Sequence, residues 1–126
     1  MAKILFVNPI VRQEAEPKHV PYGIALLAAI AMERGHQVQV YDENAWRRGD
    51  DVLTQVFEAD DWDVIATGGM TTAYNSVKNL IARAREACPS AMIILGGGIL
   101  TSLPRDIMGW LEEVDLGVVG EAFETL

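Results

Sequence analysis

One rhythm dominates this chain. Short apolar runs rich in strand formers alternate with longer segments of helical period. Five such runs occur, Lys3-Ile4-Leu5-Phe6-Val7, Gln37 to Tyr41, Asp63-Val64-Ile65-Ala66-Thr67, Ala91 to Leu95 and Leu116 to Val119. The first stops at Asn8-Pro9, the third at Gly68-Gly69, the fourth at Gly96-Gly97-Gly98 and the fifth at Gly120. Runs that are apolar on both faces predict buried parallel strands. Between them, Pro21 opens a helix from about Tyr22 to Arg34, which Gly35 stops. Asp50 reads as the cap of a helix with Val52, Leu53, Val56 and Phe57 on one face. Ala73, Val77, Leu80, Ile81 and Ala84 fall on one side of the next helix, which must end before Pro89. Pro104 sits in the first turn of a short helix with Leu103, Ile107 and Leu111 inward.

Strands alternating with helices, joined by right-handed crossovers, predict an α/β fold: an open doubly wound five-stranded parallel sheet. The spacing suits the flavodoxin-like order 2-1-3-4-5; another doubly wound order is the alternative. A length of 126 residues fits a single domain, residues 1–126. Half the residues are hydrophobic and 22% are charged, which excludes a disordered chain. The single cysteine, Cys88, rules out an internal disulfide and any Cys-based cluster or zinc site. A net charge of −8 without clustered Lys and Arg argues against a nucleic-acid partner. The longest apolar run, Ile24 to Met32, is about half of what a bilayer crossing needs, and no signal peptide opens the chain. These features predict a soluble cytoplasmic protein with no membrane partner.

Two features hint at a larger protein. The first helix is apolar nearly all round, so it should be buried between the sheet and something else. In the order 2-1-3-4-5 its neighbour on that face is the fifth helix. Glu121-Ala122-Phe123-Glu124-Thr125-Leu126 looks like only the first turns of that helix. The chain therefore reads as the N-terminal piece of a longer protein, with an exposed apolar patch beside its first helix. Dimerisation of the fragment or marginal stability would follow.

Open parallel sheets bind ligands beyond the carboxyl ends of their strands, near the reversal of strand order. Three ends stand out: Asn8-Pro9-Ile10, Thr67-Gly68-Gly69-Met70-Thr71 and Gly96-Gly97-Gly98. Five glycines there mean either tight turns or a close approach of backbone to something else. The usual occupants fail in turn. The first strand is not followed by G-x-G-x-x-G, and no G-x-x-x-x-G-K-[ST] loop exists. A receiver domain needs acidic residues where this chain has Asn8-Pro9 and Thr67-Gly68. The Ser/Thr-rich phosphate loop of a flavodoxin is absent.

Several stretches together resemble the cobalamin-binding N-terminal domain of cobalamin-dependent radical SAM enzymes. They are Val7-Asn8-Pro9, then Pro21-Tyr22-Gly23-Ile24-Ala25-Leu26-Leu27-Ala28-Ala29, then Glu33-Arg34-Gly35-His36-Gln37-Val38. Ile65-Ala66-Thr67-Gly68-Gly69-Met70-Thr71-Thr72, Ile94-Leu95-Gly96-Gly97-Gly98 and Val118-Val119-Gly120-Glu121-Ala122-Phe123-Glu124-Thr125-Leu126 complete the set. Within that family the pattern is similar to the anaerobic magnesium-protoporphyrin IX monomethyl ester cyclase group.

The resemblance implies a Rossmann-like domain that binds cobalamin. In the wider fold a D-x-H-x-x-G motif after the first strand gives a histidine to cobalt. Here that stretch begins Asn8-Pro9-Ile10 and carries no such histidine, which points to a base-off, His-off corrinoid. Thr67 matches the hydroxyl residue that meets the dimethylbenzimidazole tail, with Gly68, Gly69 and Thr71 following. Gly96, Gly97 and Gly98 match the turn that lets the tail pass, and Gly120 and Glu121 the end of the fifth strand. Met70, Ile10 and Val11 are candidate apolar contacts for the corrin ring. No catalytic residue and no metal ligand is assigned. His19, Arg12 and Lys18 read first as surface groups and His36 as structural. Trp46, Trp62 and Trp110 read as packing groups, Asp60-Asp61-Trp62-Asp63 as a solvated turn and Cys88 as inert.

The expected function is a cobalamin-binding module that holds a corrinoid against a C-terminal radical SAM domain. The resemblance places the 4Fe-4S cluster and S-adenosylmethionine in that absent domain, in an enzyme of methyltransferase or cyclase type. These 126 residues contain no C-x-x-x-C-x-x-C motif, so the chain alone should not be catalytic. The alternatives are a small flavin- or nucleotide-binding protein of the same fold and a cofactor-free interaction domain.

Overall fold

The computed structural model of the chain describes residues 2–10, 22–46, 49–68, 73–97, 99–100 and 104–118. At its centre runs strand β1 (Lys3–Asn8), whose residues Ile4, Leu5, Phe6 and Val7 are all buried. It pairs in parallel with β2 (Gln37–Asp42) on one side and β3 (Val64–Gly68) on the other. Beyond β3 lie β4 (Met92–Gly96) and β5 (Leu116–Gly117), also parallel. The order is β2-β1-β3-β4-β5, the flavodoxin-like order anticipated from the spacing. Strand order reverses at β1, so its carboxyl end lies where such sheets place ligands.

The helices are α1 (Tyr22–Glu33), α2 (Glu43–Trp46), α3 (Asp50–Glu58), α4 (Tyr74–Ala87) and α5 (Pro104–Trp110). Helix α2, a single turn, went unread in the sequence, as did the helical residues Ile99 and Leu100. Leu5, Val7, Ile65, Ile93 and Leu95 point to one face, where they form a core with Leu53 and Phe57 of α3, Val77, Leu80, Ile81 and Ala84 of α4, and Ile107 of α5. Ile4, Phe6 and Ala66 point to the other face and meet Ala28 and Ala31 of α1. The alternation of pointing along each strand divides one apolar run between two cores. The second core is much the smaller. Leu26 and Met32 of α1 remain exposed, at 49% and 61%. The helix is therefore buried on its sheet side alone among the described residues, as the expected patch requires.

Gly35 ends α1 with φ of 91°, a conformation costly for any residue with a Cβ. Its N–H donates to the carbonyl of Met32, and that of His36 donates to Ala31, which satisfies the last carbonyls of the helix. Asp50 is not a cap. Gly49 occupies that position, its carbonyl accepting from Leu53 N–H, and Asp50 is the first helical residue. The Asp50 carboxylate instead accepts from Arg83 (2.9 Å) and Asn79 (3.0 Å), clasping α3 to α4.

Two aspartates just before strands pin the amino-terminal edge. Asp63 accepts the N–H of Lys3 at 2.8 Å, and Asp115 accepts the N–H of Ile93 at 2.8 Å. The same oxygen of Asp115 receives Arg85, whose guanidinium also donates to the carbonyls of Pro89, Ala91 and Glu113. These bonds set the start of one strand against its neighbour, which matters because a one-residue slip would turn every side chain to the wrong face.

Removing the Asp115 acceptor strands a backbone N–H at the sheet edge. Asp115→Ala should lower unfolding free energy by about 1–2 kcal/mol in urea titrations, and Asp115→Asn, which keeps an acceptor oxygen, by less. The backbone N–H of Ile93, followed by Arg85, holds the Asp115 carboxyl below its ordinary range. A depressed carboxyl stabilises the fold above its unfolded-state pKa and loses that contribution as pH falls through the folded value. The gap between parent and Asp115→Ala should therefore close in acid.

Candidate functional site

Parallel alignment gathers the carboxyl ends of all five strands on one edge. At the end of β1, the Asn8 side-chain amide donates to Asp42 Oδ1 at 2.9 Å and ties β1 to β2. Pro9 is buried, and the N–H of Ile10 donates to Ser76 Oγ at 3.1 Å in the first turn of α4. The segment that leaves β1 is thus tied on both sides as far as Ile10.

Among the described residues Thr67 is one of two buried polar residues, at 7% exposure. Its hydroxyl donates to the carbonyl of Val7 at 2.8 Å. The one hydroxyl proton is used within the protein, so toward a ligand Thr67 offers lone pairs, or a proton after rotating away from Val7. Gly68 and Gly96 lie side by side in register.

The two glycines have different physical reasons. A Cβ on Gly68 would collide with the carbonyl oxygen and carbon of Gly96, so the approach of β4 alone requires glycine there. Among the described residues a Cβ on Gly96 would meet the Val118 carbonyl, at 3.7 Å, an ordinary contact. No described neighbour therefore demands glycine at 96. Gly97 has φ of 84° and turns the chain after β4. The carboxyl ends of β1, β3 and β4 therefore stand together, bringing Asn8, Pro9, Ile10, Thr67, Gly68, Gly96 and Gly97 to one edge. Gly69, Met70, Thr71, Gly98, Gly120 and Glu121 lie outside the described residues, as do His19, Arg12 and Lys18.

Sequence reasoning passed over Glu43, which follows β2 at this same edge and is only 4% exposed. Burial first, and then the Asp50 carboxylate, raise its pKa to about 7, while Arg83 pulls it down. The available signal was the pair Asp42-Glu43 after a strand that must neighbour β1. Of the tryptophans read as packing groups, Trp46 and Trp110 are each 58% exposed. Trp110 meets Tyr74 edge to face, with ring centres 6.2 Å apart. Trp62 is buried and donates its indole N–H to Val56.

Among the described residues no group of three His, Cys, Asp or Glu side chains is placed to hold a metal, and no helix is long and apolar enough to cross a membrane. A shallow depression at the opposite edge, lined by Lys3, Gln37, Gln39, Asp60 and Trp62, contains the Lys3–Asp60 ion pair and lies away from the strands' carboxyl ends.

The B12 binding domain family matches residues 9–126, and the chain belongs to that family. Its fold is similar to that of the radical S-adenosylmethionine methyltransferase TsrM from Kitasatospora setae with tryptophan substrate and the SAM analogue aza-SAM bound. There the TM-score is 0.84, with 20% identity over 98% of this chain and 24% of that one. It is also similar to the cobalamin-dependent S-adenosylmethionine radical enzyme OxsB with aqua-cobalamin and S-adenosylmethionine bound, at TM-score 0.77 and 14% identity over 99% of this chain and 18% of that one. A second TsrM structure, with cobalamin and a 4Fe-4S cluster, matches at TM-score 0.74 and 19% identity over 88% of this chain and 21% of that one. The chain spans about a quarter or less of the length of these structures. No curated protein matches it in sequence.

Glu43 gives the edge a pH signature. Its folded pKa of about 7 lies above the ordinary 4.5, so the folded protein holds this proton where the unfolded chain has lost it. That proton binding lowers stability as pH rises from about 4.5 to about 7 and leaves it flat above. Glu43→Gln should unfold at a higher temperature than the parent at about pH 8 and show little of this slope, with the two proteins converging at about pH 4. Parallel melting curves across that range would contradict the assignment.

Proposed function

We propose that this B12-binding domain receives the nucleotide tail of a corrinoid between the carboxyl ends of β3 and β4. It presents the ring to a radical SAM domain elsewhere in a longer cytoplasmic protein of methyltransferase or cyclase type. The observation that carries this reading is Gly96. No described neighbour would collide with a Cβ there, so glycine at 96 keeps that space free of the protein's own side chain at the edge where a doubly wound sheet takes ligands. A flat, largely apolar tail with a few polar atoms needs such an unfilled slot and one or two polar partners. Thr67 supplies the hydroxyl, and Gly97 and the neighbouring backbone supply amides.

The residues fit a corrinoid held without a histidine from this segment. Where the wider fold's motif carries its histidine the chain has Ile10, whose N–H is already bonded to Ser76. The bonds from Asn8 to Asp42 and from Ile10 to Ser76 hold this segment rigid as an apolar seat for the corrin. When bound, the corrinoid supplies cobalt-centred group-transfer chemistry; the protein binds, orients and shields it. Asn8, Pro9 and Ile10 would lie under the ring. Gly68, Gly69, Met70 and Thr71, with Gly98, Gly120 and Glu121, would frame the ring and the tail entrance.

The two paired glycines separate this reading from a purely structural one. Gly68→Ala should destabilise the fold by about 3 kcal/mol, near the upper end of overpacking costs, whether or not cobalamin is present. Gly96→Leu should melt like the parent but bind hydroxocobalamin at least about tenfold more weakly, followed by the visible spectrum and tryptophan quenching. Equal affinity of Gly96→Leu and parent would remove the tail from this slot. Thr67→Val should cost about 1 kcal/mol of binding, roughly fivefold, and Thr67→Ser much less. Bound cob(II)alamin should show no axial nitrogen splitting in its EPR spectrum; a splitting would mean that either a histidine or the dimethylbenzimidazole base is on the cobalt, and would contradict the base-off, His-off reading.

A further inference from the structure

Strand β2 borders the sheet, and among the described residues no strand pairs with its outer edge. Gln37 N–H donates to the Ala2 carbonyl at 2.9 Å, so by the alternation of a parallel ladder Gln37, Gln39 and Tyr41 turn their backbone groups toward β1. The N–H and C=O of Val38 and Val40 therefore face outward. Folded proteins blunt such a border with charge, proline or a bulge. Residues 37–41 have none of these. They read Gln-Val-Gln-Val-Tyr, uncharged in a chain of net charge −8, and their register with β1 is unbroken. Val40 is 46% exposed.

We propose that this border is a self-recognition surface: two copies of the chain join β2 to β2, antiparallel, about a twofold axis through Gln39. In that register Val38 of each copy faces Val40 of the other. Their outward groups exchange two N–H···O=C bonds at each pair, as an antiparallel ladder requires. Gln39 faces its own copy on the axis, and Gln37 faces Tyr41 of the second copy. One step beyond, His36 faces Asp42 of the second copy. His36 Nδ1 accepts the Ala2 N–H at 3.0 Å, which leaves Nε2 to donate toward a carboxylate. The same patch thus complements itself, as a twofold contact demands.

The neighbouring registers are poorer. Setting Val40 against His36 needs the His36 N–H, which the Ala31 carbonyl already holds at 3.1 Å. Placing Val40 on the axis instead sets the Asp42 carboxylate against the apolar Val38. Because the joined strands run oppositely, the carboxyl edges of the two sheets point away from each other. The edge of Asn8, Thr67 and Gly96 stays clear in both copies, and the inference stands independently of the cofactor.

Sedimentation velocity of the 126-residue chain from about 1 to 200 µM should show a monomer–dimer equilibrium. Val40→Lys puts a charge on the border; it should weaken the dimer at least about tenfold and leave the melting temperature of the dilute monomer within about 2 °C of the parent. Position 39 reports the register, since a non-hydrogen-bonded antiparallel pair has Cα atoms about 4.5 Å apart, within disulfide reach. In a Cys88→Ser background with oxidised glutathione, Gln39→Cys should form a covalent dimer at least about tenfold faster than Met32→Cys on the exposed side of α1. The crosslink decides alone if Val40→Lys does not fold. A chain that stays monomeric at about 200 µM overturns the proposal, as does a dimer indifferent to Val40→Lys. Crosslinking through Met32→Cys at an equal or higher rate overturns it in favour of association through α1.

Discussion

Everything in this fold depends on β1 being hydrogen-bonded on both edges and buried on both faces. Four consecutive apolar residues, Ile4 to Val7, can occupy only the inside of a parallel sheet, because a strand exposed on either side would leave two of them in water. With β1 fixed at the centre, right-handed crossovers send β2 to one side and β3, β4 and β5 to the other. The strand order must then reverse at the end of β1. The edge beside Asn8, Pro9 and Ile10 is where such a reversal places ligands, and its position follows from core packing before any ligand is considered.

The architecture was legible because its signals are local and repeated. Apolar runs ending in glycine mark the strands, and Leu53, Phe57, Val77, Leu80, Ile81 and Ala84 fall on helical faces that prove to be buried. The site was legible only in outline. Gly68 and Gly96 look alike as letters, yet one is demanded by a neighbouring carbonyl and the other by nothing among the described residues. That difference is a matter of a few ångströms between strands, which no local pattern records. Asp50 shows the same limit: it has the residue type of a cap, but Arg83 and Asn79, distant in sequence, claim its carboxylate and Gly49 takes the cap position.

Long-range electrostatics were the least legible. Glu43 is an unremarkable residue in sequence, and its raised pKa arises from burial behind a corner that only the assembled sheet creates. Thr67 was singled out in the sequence for its hydroxyl, but its bond to Val7 depends on two strands meeting in a given register. The bond satisfies the Thr67 hydroxyl within the protein, so any ligand that needs its proton must compete with a backbone carbonyl. In the proposed site that competition would set a modest ceiling on what this one residue contributes and leave more of the recognition to shape.

Amide chemical-shift mapping with diamagnetic aqua-cobalamin tests the central claim most directly, since it reports both whether a corrinoid binds and where. The account predicts the largest changes at Asn8, Ile10, Thr67, Gly68, Gly96 and Gly97, with Lys3, Gln37, Asp63 and Asp115 at the opposite edge nearly unmoved. Changes centred on that opposite edge, or none at millimolar ligand, would contradict it.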